Sequence, residues 1–105
     1  MQTGWRASIV ILTGVSTHIC AAHRDTSGQL HGHTWTVKAF FPDSECALVL
    51  KARLEAACAL FDHQELLGDL ARGEGLADAI AEQLPDAVQI DLDRPAEGIF
   101  VRWSA

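Results

Sequence analysis

The sequence has 105 residues, 49% of them apolar and 21% charged, a balance that fits one globular domain over 1–105 and excludes a disordered chain. Eight Lys and Arg against fourteen Asp and Glu leave a net charge of −6 with the bases scattered, so no basic stripe is present to hold nucleic acid, and no apolar run approaches the ~20 residues that cross a bilayer. Three cysteines, Cys20, Cys46 and Cys58, cannot all pair within one chain and form no CxxC, the usage expected of a reducing, cytoplasmic protein.

The opening MQTGWRASIVILTG carries a short apolar run followed at once by Ser, Thr and His, which argues against a secretory leader. From Arg6 to His18, residues Ile9, Val10, Ile11, Leu12 and Val15 predict a strand with Gly14 as a bulge or turn, and the run resumes through His23. Arg24 to Gln29 is a loop by its Asp, Thr, Ser and Gly. In HGHTWTVKAFF, residues His31, His33, Trp35, Val37 and Ala39 share one strand parity while Thr34, Thr36, Lys38 and Phe40 share the other. Pro42 ends that strand, and Asp43 or Ser44 can cap a helix.

Leu50, Leu54, Ala57, Cys58 and Phe61 form one face of a helix from about Glu45 to Phe61. Leu76, Ile80 and Leu84, with Ala77 and Ala81 beside them, predict a second helix over Glu74–Leu84 that Pro85 stops. AVQIDLD and IFVRW then read as two strands around a turn punctuated by Pro95 and Gly98. The order β-β-α-α-β-β segregates helices from strands and predicts an α+β fold, a four-stranded antiparallel sheet with both helices on one face.

The histidines carry the first chemical signal. His31 and His33 point the same way, and the seven-residue connection from Arg24 to Leu30 folds His23 back beside them. Three converging imidazoles bind Zn²⁺ and leave a fourth position open, with Gly32 permitting close backbone packing; the same pattern also suits a polar strand start with a hydrogen-bonded His23. Asp62 and His63 suggest a proton-transfer pair, although adjacent residues of a helix do not share a face.

The stretch ICAAHRDTSGQLHGHTWTV resembles the opening signature of the 6-pyruvoyl-tetrahydropterin synthase and 6-carboxytetrahydropterin synthase family, in which two alanines and a histidine precede a loop and then LHGH. LFDHQEL is similar to the family's Asp-His motif, and GEGLA to part of the opening of its second helix. The resemblance runs from about residue 7 to 103 and implies a T-fold subunit of a homohexamer. It places the zinc ligands on His23, His31 and His33 and the proton relay on Asp62 and His63, the latter reaching a neighbouring subunit's metal. It also implies a small dihydropterin as partner. The expected reaction converts 7,8-dihydroneopterin triphosphate to 6-carboxytetrahydropterin, the lyase branch used in deazaguanine synthesis; the alternatives are triphosphate elimination to the 6-pyruvoyl product and a catalytically silent zinc- and pterin-binding module.

The match departs at defined places. The family's catalytic Cys falls on Ser27, where a hydroxyl needs an adjacent base to act comparably, so Ser27→Cys is expected to raise turnover below neutral pH. The pterin-anchoring Glu falls on Leu92, flanked by Asp91 and Asp93, which have the wrong parity unless a bulge intervenes. Leu67 and Arg72 replace a family Asn and Thr, and Glu74 keeps the family's second-helix Glu. The substrate-binding set implied is therefore Glu74, Asp91 and Asp93.

Overall fold

Two long strands dominate the sequence's β-rich half, and the computed structural model, which describes residues 10–42 and 45–105, pairs them along their whole length. Strand β1 (Leu12–Arg24) runs antiparallel to β2 (Leu30–Pro42), from Leu12 opposite Pro42 to Arg24 opposite Leu30. Ile9 and the capping candidates Asp43 and Ser44 lie outside the described residues. Gly14 forms neither bulge nor turn. It sits in register opposite Phe40, and a Cβ there would lie 2.7 Å from the Phe40 ring, so the glycine makes room for an aromatic cross-strand neighbour.

Strands β3 (Gln89–Arg94) and β4 (Ile99–Ser104) complete an antiparallel sheet of order β1-β2-β3-β4. A 3-10 turn over Pro95–Glu97 joins them and closes on Gly98, whose φ of 70° is the left-handed conformation that glycine adopts without a steric penalty. Alternation sorts the sheet's two faces. Ile19, Trp35, Val37, Ala39, Phe41, Ile90 and Leu92 are buried on one, while Gly14, Thr34, Lys38, Asp91, Asp93 and Arg102 belong to the other.

Helix α1 (Ala47–Ala59) lies against β1, and α2 (Gly73–Glu82) against β3 and β4. The helical spacing is borne out: Leu50, Leu54, Ala57 and Cys58 are buried with Leu76, Ala77, Ile80, Ala81 and Leu84 in one core. Each fully buried leucine or isoleucine there contributes roughly 1.5–3 kcal/mol. Both helices stop earlier than periodicity predicts. Phe61 donates to the Cys58 carbonyl and Leu84 to that of Ala81, so the last turns tighten and leave the helical path. α2 begins at Gly73, where a Cβ would press on Val101 and Trp35.

The connection leaving α1 positions the site. His63 N–H donates to the Cys20 carbonyl at 2.6 Å, Ala22 N–H to Gln64 at 3.0 Å, and Leu66 N–H to Ala22 at 2.7 Å. These bonds lay residues 62–66 along the outer edge of β1 at the end that carries His23. Among the described residues no strand pairs with the outer edge of β4, and no helix is long and apolar enough to cross a membrane.

Candidate functional site

The five-residue loop Asp25–Gln29 turns β1 into β2 and sets the histidines by register. His23 faces His31 directly, while His33 faces Ala21 and so meets His23 on the diagonal of the same face. The Nε2 atoms of His23 and His33 are 2.9 Å apart and their ring centroids 4.8 Å. His31 lies 6.2 Å from each by ring centroid, with its Nε2 held 2.7 Å from Asp25 Oδ2. Thus two donors converge and the third stands beside them on a carboxylate; among the described residues no three His, Cys, Asp or Glu already enclose one point. Burial, with the nearby charges of Arg94 and His23, pushes the His33 pKa down and favours the neutral imidazole a metal requires, although Glu97 pulls the other way. Two nitrogens on one tetrahedral zinc stand roughly 3.3 Å apart, so the His23–His33 pair fits that ion once His31 exchanges Asp25 for it. Gly32 does not serve close packing as expected: a Cβ there meets nothing within 4 Å.

Asp25 is the hub of the loop. One carboxylate oxygen accepts the N–H groups of Ser27 and Gln29 at 2.9 and 3.0 Å and the Ser27 hydroxyl at 2.6 Å; the other holds His31. The Ser27 hydroxyl, then His31, keep the Asp25 carboxyl far below the usual carboxylate range. Such a carboxylate is a weak base, so this contact orients Ser27 without activating it.

The helical objection to Asp62 and His63 acting together is overturned, because α1 has already ended. His63 adopts a φ of 57°, left-handed backbone that histidine enters more readily than bulkier side chains at a cost of about 1–3 kcal/mol. That rotation brings its Nδ1 to 2.9 Å from Asp62 Oδ2, while Asp62 Oδ1 accepts the Cys20 N–H at 2.8 Å. The Cys20 N–H first, and His63 after it, hold the Asp62 carboxyl down. With Nδ1 engaged and the side chain 79% exposed, His63 presents Nε2 outward. A cavity of about 500 Å³ is lined by Cys20, Gly32, His33, Thr34, His63 and Glu65, so one triad histidine and the Asp-oriented histidine share a wall.

The substrate-binding candidates are not brought together. β3 pairs with β2 and β4 without a bulge, so Leu92 is fully buried while Asp91 and Asp93 stay on the open face. Asp91, only 8% exposed, accepts hydrogen bonds from Gln89 and Arg102, and Asp93 lies 3.6 Å from Lys38. Lys38, Asp91, Asp93 and Arg102 line a separate cavity of about 350 Å³ with Phe100. Glu74 sits on the helical side at the start of α2, 3.1 Å from Arg72.

Three residues near the triad escaped the sequence reading. Asp25 had a signal, since Asp-Thr-Ser-Gly is the pattern of a turn capped by its own aspartate. Arg94 and Glu97 had none: they meet only because the 3-10 turn places them side by side, with Arg94 4.9 Å over the Trp35 ring.

No protein-family model matches the chain, and no curated protein matches it by sequence. Among solved structures, the 6-pyruvoyl tetrahydropterin synthase of Caenorhabditis elegans superposes with a TM-score of 0.71 at 13% identity, covering 92% of this chain and 96% of that one. The chain has the fold of 6-pyruvoyl tetrahydropterin synthase. The α+β expectation, four antiparallel strands with two helices, is borne out by it.

Proposed function

We propose that this chain is a zinc-dependent enzyme acting on 7,8-dihydroneopterin triphosphate or a close dihydropterin, consuming one water and releasing triphosphate and a two-carbon aldehyde to leave 6-carboxytetrahydropterin. The observation that carries the reading is the 2.9 Å approach of the His23 and His33 Nε2 atoms beside His31, in a fold shared with a tetrahydropterin synthase. His23, His31 and His33 would hold the zinc, which when bound supplies Lewis-acid polarisation of the substrate's side-chain oxygens. Asp62 fixes the His63 ring through Nδ1, so His63 Nε2 is the atom that takes and returns protons. Ser27, tied to Asp25, positions the loop over the histidines and is not the base.

The pterin's amino and ring N–H groups need carboxylates. Glu74 is exposed and exchanges Arg72 for a ligand at little cost, whereas Asp91 and Asp93 must first release Arg102 and Lys38. The outer edge of β4, unpaired among the described residues, suits assembly into a homo-oligomer, a hexamer by the family resemblance, in which His63 reaches a neighbour's zinc. One observation favours a second reading, a zinc- and pterin-binding module without turnover: the Ser27 hydroxyl, in the position of the family's Cys, has only the weakly basic Asp25 carboxylate beside it.

Zinc-loaded protein incubated with 7,8-dihydroneopterin triphosphate, with products followed by mass spectrometry, tests the proposal. 6-Carboxytetrahydropterin is the expected product. The 6-pyruvoyl product would reassign the branch, bound but unchanged substrate would favour the silent module, and failure to take up zinc would overturn the reading.

A further inference from the structure

We propose that the outer face of α1 docks a second copy of this chain, the two α1 helices crossing antiparallel about a two-fold axis between Ala52 and Ala56. The proposal is independent of the zinc reading. A helix that only covers a core carries apolar residues on one face and polar ones on the other. α1 breaks that rule. Leu50, Leu54, Ala57 and Cys58 are buried against the sheet, yet Leu48 is 76% exposed, Leu60 57% and Val49 47%, with Ala52, Ala56 and Ala59 exposed between them. Leu48, Ala52, Ala56 and Leu60 recur every four residues and form one ridge along the outside, Leu60 keeping helical angles as the C-cap. Single exposed leucines are ordinary, but a continuous apolar ridge on a surface marks a place where another surface sits.

The order of the ridge selects the occupant. Leu-Ala-Ala-Leu reads the same in both directions, so a two-fold axis at its middle sets Leu48 against the partner's Leu60, while the facing alanines let the backbones approach. Ridges of this spacing seat in the groove beside the same ridge on a second helix, crossing at roughly 50°. Such a groove is present: a cavity of about 350 Å³ between α1 and the end of α2 is lined by Ala56, Leu60, Gln83 and Leu84. It receives the partner's Leu48. Charge agrees with the same axis. Lys51 and Glu55 flank the ridge on one side, 3.5 Å apart and about half exposed, with Lys51 also donating to the Ser16 carbonyl. The two-fold keeps that flank on one side of both helices and reverses its order, which brings Lys51 alongside the partner's Glu55, and Glu55 alongside the partner's Lys51. On the other flank Arg53 is bound to Asp86 and Glu45, so its charge is met within its own chain.

Light scattering and sedimentation across roughly 10 μM to 1 mM, the range in which so small a contact associates, test the proposal. The native particle should hold an even number of chains. Leu60→Glu, with its fold checked by circular dichroism, should halve the mass: dimer to monomer if the sheet edges add nothing, hexamer to trimer if they close a ring. Leu48→Glu, at the more exposed end of the ridge, should do the same. Lys51→Glu and Glu55→Lys should each weaken the association severalfold, and an equal mixture of the two proteins should recover it, because an all-acidic flank then meets an all-basic one. An ion pair inside one chain cannot produce that recovery. A native protein that stays monomeric at the top of the range, or folded Leu60→Glu and Leu48→Glu proteins of native mass, overturns the proposal; in the latter case a ring built on the sheet edges still stands. Halved mass without recovery in the mixture overturns the antiparallel two-fold.

Discussion

The loop end of the β1–β2 hairpin and the middle of the open sheet face both gather polar side chains, yet they settle their charges differently. Across the open face Lys38, Asp91 and Arg102 lie in one cross-strand row, and the buried Asp91 carboxylate is satisfied by Arg102 and Gln89 from its own chain. At the loop end two imidazole nitrogens face one another at 2.9 Å, and a third is held by a carboxylate that also serves the loop. A ligand offers nothing to the first arrangement that it does not already have, whereas under the proposed zinc reading a cation completes the second. Polar clustering alone therefore does not mark a site; unmet coordinating capacity does.

Four experiments would break or sharpen that contrast. The largest expected effect is His33→Ala, which should reduce zinc from one per chain to near zero after reloading, read by elemental analysis, with the same fold by circular dichroism; retained zinc would move the metal elsewhere. Next, His63→Ala should leave zinc content unchanged and lower turnover of the dihydropterin about 10²–10⁴-fold, the range for a lost general acid or base. On the self-satisfied face, Arg102→Met should do the reverse. It leaves Asp91 with Gln89 as its remaining partner and should lower the urea midpoint only slightly, because Arg102 is exposed, with zinc affinity untouched.

The smallest effect is expected from Ser27→Cys, and here the structure revises the sequence-based expectation of a gain below neutral pH. The side chain at 27 sits 2.6 Å from the anionic Asp25 carboxylate, which disfavours a thiolate and raises the thiol's pKa. Any rise in turnover should be less than about tenfold and appear only above pH ~8, where a thiol of ordinary pKa near 8.5 begins to ionise. A rate maximum below pH 7 would show that another group overrides Asp25.

How far the sequence reached depended on whether each feature is set by periodicity or by a single backbone angle. The alternation in HGHTWTVKAFF put His31 and His33 on one face with Trp35 and Val37, and the short connection returned His23 to them, because strand geometry allows little else. The helical faces were legible for the same reason. The Asp62–His63 contact was not, since nothing in the sequence announces a left-handed histidine. Asp91 was legible as a carboxylate near the family's Glu, but its burial arises from Arg102 on a strand that only tertiary pairing brings alongside. Arg94 and Glu97 were hidden in a turn whose 3-10 form decides that they meet.

The glycine under the Phe40 ring bears on the histidine cluster from the opposite end of the hairpin. A strand pair this long can slide by one residue at modest loss of hydrogen bonds, and each such slip carries every side chain of one strand to the other face. Gly14 is the cradle into which Phe40 drops, and after a slip the ring would meet a side chain instead. The lock lies nine residues, ~30 Å of extended chain, from His23. A residue with no chemistry of its own thus acts as a vernier stop that keeps three imidazoles on one side of the sheet.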